Sequence, residues 1–527
     1  MRRLLLCVTL AAALAGVGAT AAPANQNLMF SVMMDDDQLL YRGDDARDTA
    51  MRRMKQLGVD TVRVTVLWSV VAEHAKRARN GKKRRNFEAD NPRTYPRGNW
   101  DRYDRLVRAA QTLGLQVYFN ITGPGPRWAH SKPPKSLRSI RKTYKPKPRE
   151  FFKFVKALGR RYDGTYRDEN DGRGVLPRVS FWSIYNEPNQ GGWLTPQYQK
   201  SGRTTIPWSP VMYRELWYYG RTALGATGHG GDIILIGETA PVGGNLTNPK
   251  SPIRPKKFIR ELFCVSSSGR PYTGASARKR KCALLRKIEQ FQYTAWAHHP
   301  YTKELGPTDR DSHRDSITMA NVGELTALLD QIAARTGLAP AVNYSMQTEF
   351  GWETKPDPFV GISLPRQAEW INVGDYLAWK EERVLANAQF MLRDAKPLRR
   401  HKKGSRQYWF TYQSGLFRAN GKPKPAASAY TLPIHVVGKG TDSVGQAGVN
   451  IWGWVRFLPP QTPSEVVLQF RPAGTDGWST IGDPVKIDHL GVFQAHRAVP
   501  TPGTWRAVWT NPVTGTPVVS REVDFDG

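Results

Sequence analysis

The chain has 527 residues, a length that admits about three domains or one large barrel with a smaller companion. Hydrophobic residues at 40% and charged residues at 23% exclude a disordered chain and a bundle of membrane helices. A formal charge of +32, with 17 Trp and 20 Tyr, leaves a polyanion binder and a sugar-stacking enzyme to be separated by motif.

Arg2 and Arg3, the apolar run 4–17 and the small-residue stretch Ala19-Thr20-Ala21 read as an export signal over 1–21. The run is too short to span a bilayer. Cys7 leaves with the signal, and Cys264 and Cys282 remain to form a disulfide in an oxidising compartment. Strand and helix signals then alternate. Strands are predicted over 28–34, 59–68, 115–121, 179–185, 232–236, 290–298, 340–346 and 407–412. The helices between them include one that runs to Gly58, then 99–113, one carrying Phe151 to Leu158, 212–226, 322–334 and 376–395. After the fifth strand the helix falls at 253–263 or 281–289.

Eight alternations imply an α/β fold, a (β/α)8 TIM barrel with long insertions. An open doubly wound sheet is the rival, and no Gly-rich phosphate loop follows any strand to support it. Past residue 432 the helix signal stops. Short strands over 448–457, 465–471, 492–497, 504–510 and 518–524 read as a small C-terminal β-sandwich. The expected organisation is a signal at 1–21, a barrel at 22–432 and a sandwich at 433–527. Trp452, Trp454, Trp478, Trp505 and Trp509 read as core residues of the sandwich in preference to a sugar-binding face.

Functional residues of such a barrel sit where strands end at its C-terminal face. The fourth strand ends in WSIYNEPNQ, residues 182–190, and places Asn186 and Glu187 there. The seventh ends in MQTEFGW, residues 346–352, and places Glu349 there. Two carboxylates across one cleft are what glycosidic cleavage needs. Glu238, in IGETAP after the fifth strand, is a rival carboxylate, read as a structural or substrate-contact residue. His298-His299 lacks a metal-binding pattern, so no metal or cofactor is implied. Asp35, Asp36 and Asp37 read as a solvated loop.

Asn-Glu-Pro after the fourth strand, with Glu after the seventh, resembles clan A glycoside hydrolases, families 5 and 39 most closely. The resemblance covers roughly residues 27–432. It implies Glu187 as general acid/base and Glu349 as nucleophile of a secreted, retaining hydrolase of O-glycosidic bonds. It also implies Arg63 beside the nucleophile, Tyr301 orienting it, His299 next to Tyr301, Asn186 on a sugar hydroxyl, and Trp409 and Trp128 as sugar platforms, with Trp193 as a further one. Arg63 is expected to keep Glu349 ionised. A non-catalytic glycan-binding barrel is the alternative function. A nucleic-acid binder is set aside, since no such motif is present and the chain carries an export signal.

Basic residues cluster: seven in 75–85, eight in 132–149 and six in 278–287, all expected over the catalytic face, and seven in 393–406, expected on the opposite face. Such runs imply an anionic glycan drawn to the cleft, or attachment to an acidic cell envelope.

Overall fold

A computed structural model of the chain describes residues 29–77, 80–172, 174–288, 290–441, 445–456, 463–498 and 501–526. The expected export signal at 1–21 lies outside them, as does the end of the strand expected over 448–457. No helix among the described residues is long and apolar enough to cross a membrane.

Eight parallel strands close into a barrel: β1 (Val32–Met34), β2 (Thr61–Leu67), β3 (Gln116–Thr122), β4 (Phe181–Ile184), β5 (Ile233–Thr239), β6 (Ala295–His298), β7 (Ser345–Phe350) and β8 (Val384–Phe390). Each pairs with its neighbours in sequence, and β8 pairs with β1. Helices α1 (Asp44–Gln56), α2 (Asp101–Thr112), α3 (Pro148–Arg161), α4 (Ser209–Gly225), α5 (Pro255–Leu262), α6 (Gly323–Thr336) and α7 (Leu364–Lys380) follow β1 to β7 in turn, and α8 (Pro425–Thr431) follows β8. Strand alternation sorts the side chains. Val62, Val64 and Val66 of β2 join the large core between strands and helices, whereas Tyr118, Phe181, Leu235, Ala297 and Met346 pack together in a separate cluster. Pro148 starts α3, and Phe151, Phe154, Val155 and Leu158 bury one face of it. The helix after β5 is α5, within the first of the two expected ranges.

The last strand is not where the sequence placed it. Residues 384–390 were expected inside a helix and instead form β8, while the expected strand 407–412 lies in the loop after it. VLANAQF has the Ala, Leu and Gln of a helix former, but closure between β7 and β1 buries the segment and overrides that preference. Tyr408, Trp409, Phe410 and Tyr412 have strand-like chemistry, yet Phe410 is 83% exposed. Run 393–406 therefore follows β8 on the catalytic face, not the opposite one. Runs 75–85 and 132–149 follow β2 and β3, while 278–287 lies beyond α5 and is not in a direct strand-to-helix loop. The aspartates after β1 are not a solvated loop either. Asp35 is buried and accepts from the Arg393 and Gln38 amides, and Asp36 accepts from the Thr65 amide. Cys264 and Cys282 form a disulfide with Cα atoms 6.0 Å apart.

Beyond α8 the chain forms antiparallel sheets. One holds β9 (Ile434–Thr441), β10 (Ala447–Trp454) and a strand at Val492–Arg497; the other is built on Glu465–Pro472 and Gly503–Thr510. Trp505 and Trp509 fill the core between them. Trp452 packs on Tyr376 and Trp379 of α7, at 5.7 Å from each ring, and so belongs to the junction with the barrel. Arg456 pins that junction. It pairs with Asp375 of α7 at 2.5 Å, donates to the Tyr430 carbonyl at 2.7 Å, and stacks on Trp454 and Tyr430. Gly58, which ends α1 at φ 85, must be glycine, because a Cβ there would meet the Arg456 Cβ at 2.6 Å. Arg456→Ala would strand Asp375 as a buried unpaired charge and should lower stability by about 3–5 kcal/mol. An unchanged thermal midpoint would show that the pair does not hold the junction.

Candidate active site

The site is organised around Glu238. The register of β5 against β6 breaks between Gly237 and Thr239, and Gly237 and Glu238 take left-handed backbone at φ 105 and 48. This bulge re-aims the Glu238 side chain. Its carboxylate is wholly buried and fully satisfied. One oxygen accepts from Tyr118, from Ser183 at 2.5 Å and from Asn120 at 3.3 Å. The other accepts from Arg63 at 3.2 Å, His299 at 2.8 Å and Thr348 at 2.5 Å. Burial alone would raise its pKa, but the Arg63 charge and the His299 hydrogen bond hold it well below the usual carboxylate range.

Arg63 and His299 extend from Glu238 to the two carboxylates above it. Arg63 donates to Glu349 at 3.0 Å and to the Asn186 side-chain oxygen at 3.0 Å. Nδ1 of His299 lies 3.0 Å from Glu187 and 3.6 Å from Glu349. Burial disfavours a charged His299, but the Glu349 charge and the hydrogen bonds to Glu187 and Glu238 raise its pKa to about 10. Tyr301 donates to Glu349 at 3.2 Å. Unlike Glu238, Glu187 and Glu349 keep side-chain exposures of 21% and 12%. Glu187 is in left-handed backbone at φ 38, the kind of strain that persists where surroundings over-determine it. Burial pushes the Glu349 carboxyl up, against the pull of His299 and Arg63, so the expected lowering by Arg63 is present but outweighed.

Of the sequence-predicted residues, Arg63, Asn186, Glu187, His299, Tyr301 and Glu349 meet here. Trp128 packs edge-on against Trp68 and Phe87, with Lys76 4.2 Å above its ring. Trp409, expected on the eighth strand, lies in the loop beyond it against Tyr408. The aromatic that does approach the carboxylates is Tyr412. It is 54% exposed and packs on Phe390, which in turn packs on Tyr301. Burial, with the charges of Glu349 and Glu187, raises its hydroxyl pKa to about 12. Sequence reasoning missed Tyr412 and the support formed by Tyr118, Asn120, Ser183 and Thr348. Its one sequence signal was the polar, every-other-residue spacing of Tyr118 and Asn120 on a buried strand.

One donor atom each from Glu187, His299 and Glu349 lies within 4.8 Å of the others, a grouping that could hold a cation. In the arrangement seen, both ring nitrogens of His299 are engaged by carboxylates, Nδ1 with Glu187 and Nε2 with Glu238, so the imidazole bridges the two. His298 plays no part in the cluster. It is tied to Thr239 and the Ile317 carbonyl, and burial lowers its pKa to about 3.

No family model and no curated protein matches the chain. Similar solved structures include a family 39 glycoside hydrolase from the gut symbiont Bacteroides cellulosilyticus WH2, at 13% identity over 90% of this chain and 80% of that one, with a TM-score of 0.45. A glucosidase from Croceicoccus marinus aligns at 12% identity over 92% and 82%, also at 0.45. A GH5_18 protein from Streptomyces cattleya, in complex with GlcNAc, aligns at 16% over 77% and 79%, at 0.43. The barrel itself follows from this chain's own strand pairing.

The raised pKa of His299 makes a pH-dependent stability contribution. It is complete below the unfolded value of 6.5 and is lost as pH rises through about 10. The thermal-midpoint advantage of the wild type over His299→Gln should therefore shrink steadily across that window. A constant difference would mean that His299 is neutral in the fold.

Proposed function

We propose that the chain is an exported glycoside hydrolase that cleaves O-glycosidic bonds of an oligo- or polysaccharide with retention of configuration. The observation that carries this reading is the approach of Glu187 and Glu349, each with a carboxylate oxygen within 4.8 Å of the other's. Retaining enzymes hold the pair about 5–5.5 Å apart, whereas inverting ones leave about 6.5–9.5 Å for a water. Glu349 is the nucleophile, since Arg63, Tyr301 and His299 all direct positive charge or a donor at its oxygens. Glu187 gives a proton to the leaving oxygen as Glu349 bonds to the anomeric carbon. It then takes a proton from the water that cleaves the glycosyl ester, which frees Glu349. Asn186 accepts from Arg63 through its oxygen and keeps its amide nitrogen for a sugar hydroxyl. Tyr412 supplies the sugar platform in place of Trp409. The export reading rests on residues 1–21, and the Cys264–Cys282 disulfide is compatible with it.

The substrate class in this reading is an acidic glycan. Runs 75–85, 132–149 and 393–406 follow β2, β3 and β8, so their charge surrounds the catalytic end of the barrel. Glu187→Gln and Glu349→Gln should each cut kcat by about 10³-fold or more, and a 2-fluoro glycoside should label Glu349, as read by mass spectrometry. A label on another residue would displace the nucleophile assignment, and a wild type that binds glycans but never turns one over would favour a pure binding role. Raising salt from roughly 0.05 to 0.5 M should lower kcat/KM on an acidic glycan about tenfold and leave a neutral one nearly unchanged. Equal responses would leave the basic loops as envelope contacts alone.

A further inference from the structure

We propose that a second cavity, lined by none of the catalytic cluster, binds an acidic sugar residue with its carboxylate between Lys145 and Lys281. The choice of a sugar rests on the glycosidase reading; the cavity and its charge do not. The space is about 580 Å³ and opens between the first turn of α3 and the first turns of α4, within the roughly 300–1,000 Å³ range of ligand sites. Its apolar wall is Trp208, Met212 and Tyr219. The Lys145 and Lys281 ammonium groups lie 5.8 and 5.4 Å from the centre of the Trp208 ring. Among the described residues neither lysine forms an ion pair. Burial and the neighbouring Lys281 charge push the Lys145 ammonium down.

Two distant segments are held in place to build this pair. Lys145 and Lys281 both take left-handed backbone, at φ 44 and 51, which side chains with a Cβ rarely adopt. The Lys145 amide donates to Thr195 at 2.8 Å, and its carbonyl accepts from the Ser131 amide at 3.1 Å. Lys281 adjoins Cys282, so the disulfide to Cys264 fixes its position. Buried Arg214, on α4, donates to the Arg280 and Lys281 carbonyls at 3.0 and 3.4 Å.

The lining also selects the kind of anion. Glu150 and Glu215 share the cavity with the lysines. Glu150 is poorly satisfied: its ion pair with Lys153 is 3.6 Å long, and one of its oxygens is buried without a hydrogen-bond partner. A small inorganic anion would meet repulsion from these acids. A sugar acid presents a carboxylate to the lysines, hydroxyls to the glutamates and C–H faces to Trp208.

The test uses the full chain carrying Glu349→Gln, so that no turnover intervenes. Calorimetric titration compares a tetragalacturonate, its methyl ester and inorganic phosphate, while limited acetylation read by mass spectrometry reports on Lys145 and Lys281 directly. The tetramer should bind about tenfold more tightly than the ester or phosphate and should protect both lysines. Lys145→Asn with Lys281→Asn, a residue tolerant of left-handed backbone, should weaken it by about tenfold. Lys281→Glu alone, at an exposed position, repeats the test if the double variant fails to fold. Equal affinity with and without the lysines, no protection, or phosphate binding as tightly as the tetramer would overturn the proposal. Absent hydrolysis by the wild type, with this binding intact, would count against the catalytic reading alone.

Discussion

The buried contact of Glu238 with Arg63 and His299 is the constraint around which the C-terminal ends of the barrel strands are arranged. Burying ions costs several kcal/mol each, so such a group needs close pairing: both Glu238 oxygens are matched, and among the described residues only Nε of the Arg63 guanidinium lacks a hydrogen-bond partner. The matching residues come from six consecutive strands and the residues just past them: Arg63 from β2, Tyr118 and Asn120 from β3, Ser183 from β4 and Asn186 just past it, Glu238 from β5, His299 just past β6, and Thr348 from β7. Satisfying one carboxylate therefore sets the relative placement of six strands. It also decides what is left over. With Arg63 and His299 charged, the three carboxylates share two positive charges, so one proton on the outer pair makes the cluster neutral.

The buried and exposed carboxylates have divided roles. Glu238 cannot reach a ligand, because its side chain is sealed and both its oxygens are occupied. Glu187 and Glu349 receive fewer donors and retain access to the cleft. Arg63 and His299 each touch Glu238 and at least one of the outer pair, and so transmit the geometry of the buried anchor to the two outer carboxylates. Local strain sits at the same positions, at Tyr185, Glu187 and Glu238, all with positive φ.

The rim follows from where strands end. Placing β8 at Val384–Phe390 brings run 393–406 and the exposed aromatics Phe410 and Tyr412 to the catalytic face. The mouth of the barrel thereby gains the basic run 393–406, which the sequence reading placed on the opposite face, and the exposed ring of Tyr412. The sandwich, by contrast, is bolted to α7 and α8 through Arg456 and Trp452, and it buries Trp452, Trp454, Trp505 and Trp509, whereas Trp478, expected in the core, is half-exposed beneath Arg471 and Arg506.

The alternation of strands and helices was legible in the sequence, because side-chain periodicity is local: Val62, Val64 and Val66 mark a strand wherever it packs. Asn186, Glu187 and Glu349 were legible too, since they end strands whose order alone implies a shared face, and resemblance gave Arg63 and Tyr301 their places beside them. Three features belonged to the tertiary structure. Strand eight looks helical in isolation and became a strand because an open barrel edge between β7 and β1 would leave backbone groups unpaired. Tyr412 took the position expected of Trp409 because loop path, not residue type, decides which ring reaches the cleft. Glu238 became the anchor because a bulge at Gly237 turned it toward donors scattered over 285 residues of chain, from Arg63 to Thr348, a meeting that no local pattern records.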